Sequence, residues 1–276
     1  MSPPWPPTAV ECLAALGPYF ALRSQAPGPG WRPASALIDD GEHLAEVIDN
    51  VAARLGTGQR WIAASVFYQG WAARLTAIYA GSAALFGAAP DLRVPLVTYR
   101  PRGSAPVDLS VAPLRPLSTD AAWRYLSDDH LVPLAAAIRR QVRIGGYLLR
   151  GNVASALAGA LDVLSQAHRE TLDSLLRRGW AQPADLAECG HWLSAPGGPR
   201  YARSTCCGYE QLEQGGRCGD CSLNWLGTAA SQPFSSVHCR PPRLCSGVVG
   251  GVVGGVPVRA MPVRAATHHL EHLQAA

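Results

Sequence analysis

From Trp61 to Pro90 the chain is apolar almost without interruption, with Gln69 and Arg74 as the main polar breaks. Apolar residues fall on every side of a helical wheel here, so no face is left for water. A helix of that kind must be enclosed. Lipid is the poorer enclosure, because the uncharged runs on either side of Arg74 fall short of the roughly 18–20 apolar residues that a membrane span needs. The spacing therefore predicts one or two helices over Trp61–Phe86 as a buried central element, with the other elements wrapped around it.

The chain has 276 residues, of which 48% are apolar and 16% charged, enough for one large domain or two small ones with ample core. Lysine is absent, so all 24 basic residues are arginine; this reads as a coding bias, not a physical demand. The net charge of +4 is mild, and no basic run or basic helix points to nucleic acid or an anionic membrane. Met1–Pro7 lacks the basic start and apolar core of a secretory signal, so reduced thiols in a cytosol are the expectation.

Eight prolines within Met1–Pro33 predict an irregular arm with one short helix near Val10–Leu16. Over Leu37–Leu55, Leu44, Val47, Ile48, Val51 and Leu55 recur at helical spacing, and Asp39 or Asp40 is placed to cap the start. Val94–Tyr99 and Val107–Val111 are β-prone and are separated by a turn-rich stretch, which predicts a hairpin or two edge strands. The surrounding prolines exclude a central-strand role. Helical spacing returns at Leu131, Leu134, Ile138 and Val142, over Gly151–Leu164, and over Thr171–Arg178 with Gly179 as its stop. Gln182–Arg203 reads as loop. Gly247–Val256 repeats Val-Val-Gly-Gly, and the His- and Cys-bearing end (His238, Cys239, Cys245, His268, His269, His272) reads as a disordered tail without a metal site.

The chemistry concentrates in Tyr201–Cys221. Four of the eight cysteines, Cys206, Cys207, Cys218 and Cys221, follow the pattern C-C-x10-C-x2-C, with a turn at Gly215–Gly216 that folds the later pair back onto the earlier one. Thiolates select zinc, copper(I) or iron–sulfur centres over hard cations. Structural zinc sites usually present two C-x2-4-C knuckles. Here one half is a pair of adjacent cysteines, whose side chains diverge; that suits a two-iron rhomb better than one small ion. The spacing favours [2Fe–2S], with zinc and a disulfide as the alternatives. Arg203 and Arg217 flank the quartet, either as cations that would favour a more negative cluster and raise its potential or as solvated surface charges. Cys12 and Cys189 stand apart and read as small apolar residues.

This pattern, preceded by Arg200, Tyr201 and Arg203, resembles the C-terminal signature of the FhuF-like ferric siderophore reductases. Leu149–Ala154 is similar to the W-G-N-x-A helix start of that family, with Arg150 where tryptophan is common; the Ala-rich segment around Ser65–Pro90, with Arg74-Leu75 and a G-x-x-P at Gly87–Pro90, is similar too. The likeness covers about residues 40–225. Proline often follows the last cysteine in the family, whereas here Ser222 follows and the chain runs on to Ala276. The resemblance implies a [2Fe–2S] protein, held by Cys206, Cys207, Cys218 and Cys221, that reduces siderophore-bound iron(III).

The resulting expectation is a mainly α protein with a small β hairpin or edge strands (α+β). Residues 1–36 form an irregular arm, 37–199 a mainly helical domain, 200–226 the cluster-binding segment and 227–276 a low-complexity tail. No hydrolytic motif, Walker A loop or G-x-G-x-x-G is present, so catalysis would be the cluster's alone. The expected substrate is a ferric siderophore, of hydroxamate type, and the expected electron donor an external protein such as a ferredoxin. The expected place is the cytoplasm, at the inner face of the plasma membrane if transport delivers the chelate there, without a transmembrane segment. The alternatives are a non-catalytic iron–sulfur or zinc sensor and a siderophore-binding protein. Trp180, Trp192, Tyr201 and Tyr209 are candidates to line a chelate pocket against a simpler packing role; His191 reads as a surface residue and Asn152 as a helix-start cap.

Overall fold

The computed structural model describes residues 5, 8–25, 28–102, 107–167, 184–193 and 199–224. The expected helix over Thr171–Arg178, Trp180 and the tail with its histidines and cysteines lie outside these residues.

The apolar stretch forms a single helix, α4 (Arg60–Phe86), about 40 Å long at 1.5 Å per residue. It ends at Gly87, whose φ of +66° places it in the left-handed region that glycine adopts freely. Most of α4 is buried on all sides, including Gln69 and Arg74. Arg74 is enclosed because its guanidinium donates to the carbonyls of Pro18, Tyr19, Ala21 and Val107. Burial nevertheless pushes its pKa down to about 10.

The other helices enclose α4. Helix α1 (Ala9–Ala15) reaches it through Leu13, Leu16 and the nearby Phe20, which crowd against Gly81 where a side chain would collide. The N-terminal arm is therefore not peripheral: Leu13, Tyr19, Phe20 and Leu22 belong to the core. The expected Leu37–Leu55 helix is broken in two, α2 (Ala36–Asp39) and α3 (Gly41–Arg54). Asp40 is extended and its carboxylate accepts from the His43 N–H, an N-cap that starts the second helix. A helix absent from the expectation, α5 (Thr119–Tyr125), is capped by Ser118 and runs through a π-helical turn, Leu126–Leu131, into α6 (Val132–Gln141). The last long helix, α7 (Gly146–Ala167), begins five residues before the expected start and packs along α4.

The strands are short and antiparallel. Strands β3 (Val97–Arg100) and β4 (Asp108–Val111) form the expected hairpin, with Val97 opposite Val111 and Arg100 opposite Asp108. Strand β1 (Arg32–Pro33) pairs with the other side of β3, so β3 is the central strand of three, contrary to the expectation that the nearby prolines exclude that role: they lie outside Val97–Arg100 and leave its ladder intact. Strands β2 (Ala89–Pro90) and β5 (Pro116–Leu117) make a two-residue clip beyond α4. The stretch read as loop holds a 3₁₀ turn (Ala184–Cys189) and a second hairpin, β6 (Gly190–Leu193) with β7 (Arg200–Arg203). The architecture is α+β and mainly helical. Among the described residues no helix is long and apolar enough to cross a membrane.

Candidate functional site

The cysteine segment leaves β7 and settles on the opening turns of α4 and α7. Cys207, Cys218 and Cys221 are buried with Tyr209 against Ile62 and Val66 of α4, and Leu55, Trp61, Leu212 and Leu223 close the sides. Glycines make the path possible. Gly151 on α7 lies so near Thr205 that an added Cβ would stand 2.2 Å from its hydroxyl. Gly208 has φ +90° and faces the Trp61 ring, where a Cβ would come within 2.6 Å. At Gly215 a Cβ would fall 1.9 Å from the Tyr209 carbonyl oxygen, so only glycine allows the return towards Cys218. The Arg203 N–H donates to the Asp220 carbonyl, tying the C-x2-C turn to β7; the turn itself is closed by the Cys221 N–H on the Cys218 carbonyl, which also accepts from the Asn224 side chain.

The four sulfurs meet as a chain. Cys207 Sγ lies 3.9 Å from Cys218 Sγ, while Cys206 shares hydrogen bonds with both Cys207 and Cys221. Each member of the adjacent pair thus faces a different member of the later pair, but the two adjacent thiols also bond each other and do not diverge as expected. None is in a disulfide. Backbone amides point at them: the Gly208 N–H donates to Cys206 Sγ at 3.3 Å, the Tyr209 N–H reaches Cys207 and the Leu223 N–H reaches Cys221. Hydrogen bonds from Cys206 and Cys218 hold the Cys207 thiol well below its ordinary pKa, with Arg203 adding to the effect against burial. Cys221 is drawn down to about 7 by its bond from Cys206. Cys206 and Cys218, as donors, are pushed up. Among the described residues, no three His, Cys, Asp or Glu side chains are grouped so as to hold a metal ion as they stand.

Arg203 is the residue whose place the sequence left open, and it is 3% exposed, whereas Arg217 is on the surface. Its Nη2 donates to Asn152 Oδ1 and its Nη1 lies 3.5 Å from Gln69 Oε1. Burial alone would lower its pKa, but Cys207, the Asp220 carboxylate, Cys218 and Cys206 hold it above the ordinary value. Its Nε has no hydrogen-bond partner among the described residues. Asn152 is not a helix-start cap: it lies inside α7 and its amide donates to the Ser65 carbonyl and hydroxyl, both at 3.0 Å.

No protein-family model matches this chain. A search of curated proteins finds no match either. The chemistry of the donor set therefore carries the functional reading. Four free cysteines, three amides directed at sulfur and a buried cation with an unpaired N–H fit an anionic metal–sulfur centre. The 3.9 Å separation of Cys207 and Cys218 is close to the edge of about 3.8 Å spanned by two thiolates on one tetrahedral metal.

The remaining candidates divide. Tyr209 is 9% exposed and touches the cysteine cluster. Trp192 and Tyr201 face each other across the β6–β7 register with rings 5.3 Å apart, and Tyr201 is buried, so this pair serves to pack the hairpin. His191 is exposed on β6. Of the two cysteines read as small apolar residues, Cys189 is buried in the main core, whereas Cys12 is exposed.

Proposed function

We propose that Cys206, Cys207, Cys218 and Cys221 hold a [2Fe–2S] cluster and that the protein reduces ferric siderophores. The observation that carries this reading is the meeting of the four free sulfurs under amide donors and a buried arginine. The contacts put Cys207 against Cys218 and Cys206 against Cys221, with a further bond between Cys206 and Cys207 joining the two pairs; the preference for two irons comes from the C-C-x10-C-x2-C spacing. The resemblance of C-C-x10-C-x2-C to the FhuF-like signature supports the same assignment and supplies the substrate class. When bound, such a cluster supplies electrons one at a time.

The chain's own residues would do the rest. The N–H groups of Gly208, Tyr209 and Leu223 stabilise negative charge on sulfur, as amides near a metal centre generally do. Cys206 is the least enclosed of the four thiols, so the exchange edge would lie on its side. One electron leaves an external donor of ferredoxin type, and the iron(III) of a hydroxamate chelate becomes iron(II). No covalent bond of the siderophore breaks; release follows because the lower charge weakens iron's hold on hard oxygen ligands. This reading places the protein in the cytoplasm, where the chelate would reach it.

Anaerobic purification tests the proposal. About two irons and two acid-labile sulfides per chain, a coloured protein and an EPR signal after dithionite reduction are the expected result. Cys206→Ser and Cys218→Ser should lose most of the colour, and the reduced protein should convert a ferric hydroxamate to iron(II). A colourless or zinc-bearing preparation overturns the cluster. A coloured protein that leaves ferric chelates oxidised overturns the reductase and leaves a sensor.

A further inference from the structure

The hydrogen bonds around Arg203 have a direction. Asn152 spends both amide hydrogens on Ser65 of α4, at 3.0 Å to the carbonyl and 3.0 Å to the hydroxyl. Only its Oδ1 remains, and that oxygen takes Arg203 Nη2. Gln69 is arranged the same way: its Nε2 donates to Ser155 Oγ of α7 at 3.1 Å, which turns Oε1 towards Arg203 Nη1. Two amides from two helices, each locked by a serine on the other helix, aim their oxygens at one guanidinium. All four of these supporting residues are buried, at 0–1% exposure.

Burying a cation in this way is costly unless anions face it. The two amides are neutral and merely orient it. The anions near it are the Cys207 sulfur and the Asp220 carboxylate, with the Cys218 and Cys206 thiols alongside and able to become anionic as metal ligands. A simple structural arginine would need neither a pair of locked amides nor an unpaired Nε. Gly151 belongs to the same arrangement, because any side chain there would displace Thr205, whose hydroxyl lies 3.5 Å from Arg203 Nη2.

We propose that Gln69 and Asn152 are positioning residues that fix Arg203 as a buried cation beside the four sulfurs, so that its charge favours the electron-rich state of the centre. The redox half of this inference rests on the cluster reading; the clamp does not. In the folded chain, Arg203 should show slowly rotating, slowly exchanging guanidinium N–H resonances by NMR. These should be lost in Asn152→Leu and Gln69→Leu. In the iron-loaded protein, Arg203→Gln should lower the ratio of reduced to oxidised centre at least tenfold at fixed potential, a fall of about 59 mV for one electron. Asn152→Leu should move it the same way by less, and Arg203→Lys should recover part of the loss. Iron content is read separately, so an iron-free wild type defeats the cluster while the N–H resonances still judge the clamp. Freely rotating Arg203 in the wild type, or unchanged midpoints in iron-loaded variants that merely melt earlier, would overturn the inference.

Discussion

His130 shows how a single buried ring couples the fold to acidity. It lies in the π-helical turn, fully buried, with Nε2–H donating to the Leu92 carbonyl and no partner for Nδ1 among the described residues. Burial lowers its pKa to about 4, against about 6.5 in an unfolded chain. The unfolded chain thus binds a proton that the native chain refuses. Stability should be complete above pH 6.5 and fall by about 3 kcal/mol as the pH approaches 4. Urea midpoints at pH 7 and pH 4.5 measure this, and His130→Gln should flatten the difference. Legibility at this scale was uneven. The four cysteines announce themselves by spacing, and the cap before α3 was legible as Asp39 or Asp40, of which the structure uses Asp40. Arg203 was not, since an arginine beside cysteines reads equally as a surface charge. What buries it is Gln69, 134 positions away, and Asn152, 51 positions away, and pairings of that range leave no local trace.

Among the elements, α4 was the most legible, because a helix without a polar face has one possible place. Its two polar interruptions are not flaws in that pattern: Gln69 orients Arg203, and Arg74 gathers four carbonyls from the N-terminal arm and the loop before β4. Replacing Arg74 with methionine keeps the bulk but strands those acceptors, each worth about 1–3 kcal/mol when buried and unmet. Arg74→Met should therefore destabilise the protein by about 3 kcal/mol or more, read as a lower denaturant midpoint with the helix content of the survivors unchanged. The elements missed in the sequence are the short ones. α5 is only seven residues long, and β6 and β7 are four residues each. Stretches so brief carry too few periods to show a stripe; α5 forms against α4 and the π-helical turn, and β6 and β7 form against the 3₁₀ turn and α7.

Among the described residues the molecule has two cores of very different size. The large one unites α1 to α7 with the β1–β3–β4 sheet; the small one holds six buried residues, Ile62, Val66, Cys207, Tyr209, Cys218 and Cys221. A core that small cannot by itself order the segment from Ser204 to Asn224, and segments of this kind are commonly held by disulfides or metal. No disulfide is present among these residues. Stripping metal with a chelator under reducing conditions should then expose the four cysteines to rapid alkylation, followed by mass spectrometry, while far-UV dichroism of the helical body stays intact. Equal alkylation rates before and after chelation would contradict this. The sulfur segment is also pinned to the first turns of α4 and α7, through Ile62, Val66 and Gly151. With the proposed cluster bound, the amide dipoles of Gly208, Tyr209 and Leu223 that bond the sulfurs would have little room to swing as an electron came or went. The reorganisation energy there should be small, so the tempo of exchange would be set by how closely a partner approaches rather than by how far the protein has to yield.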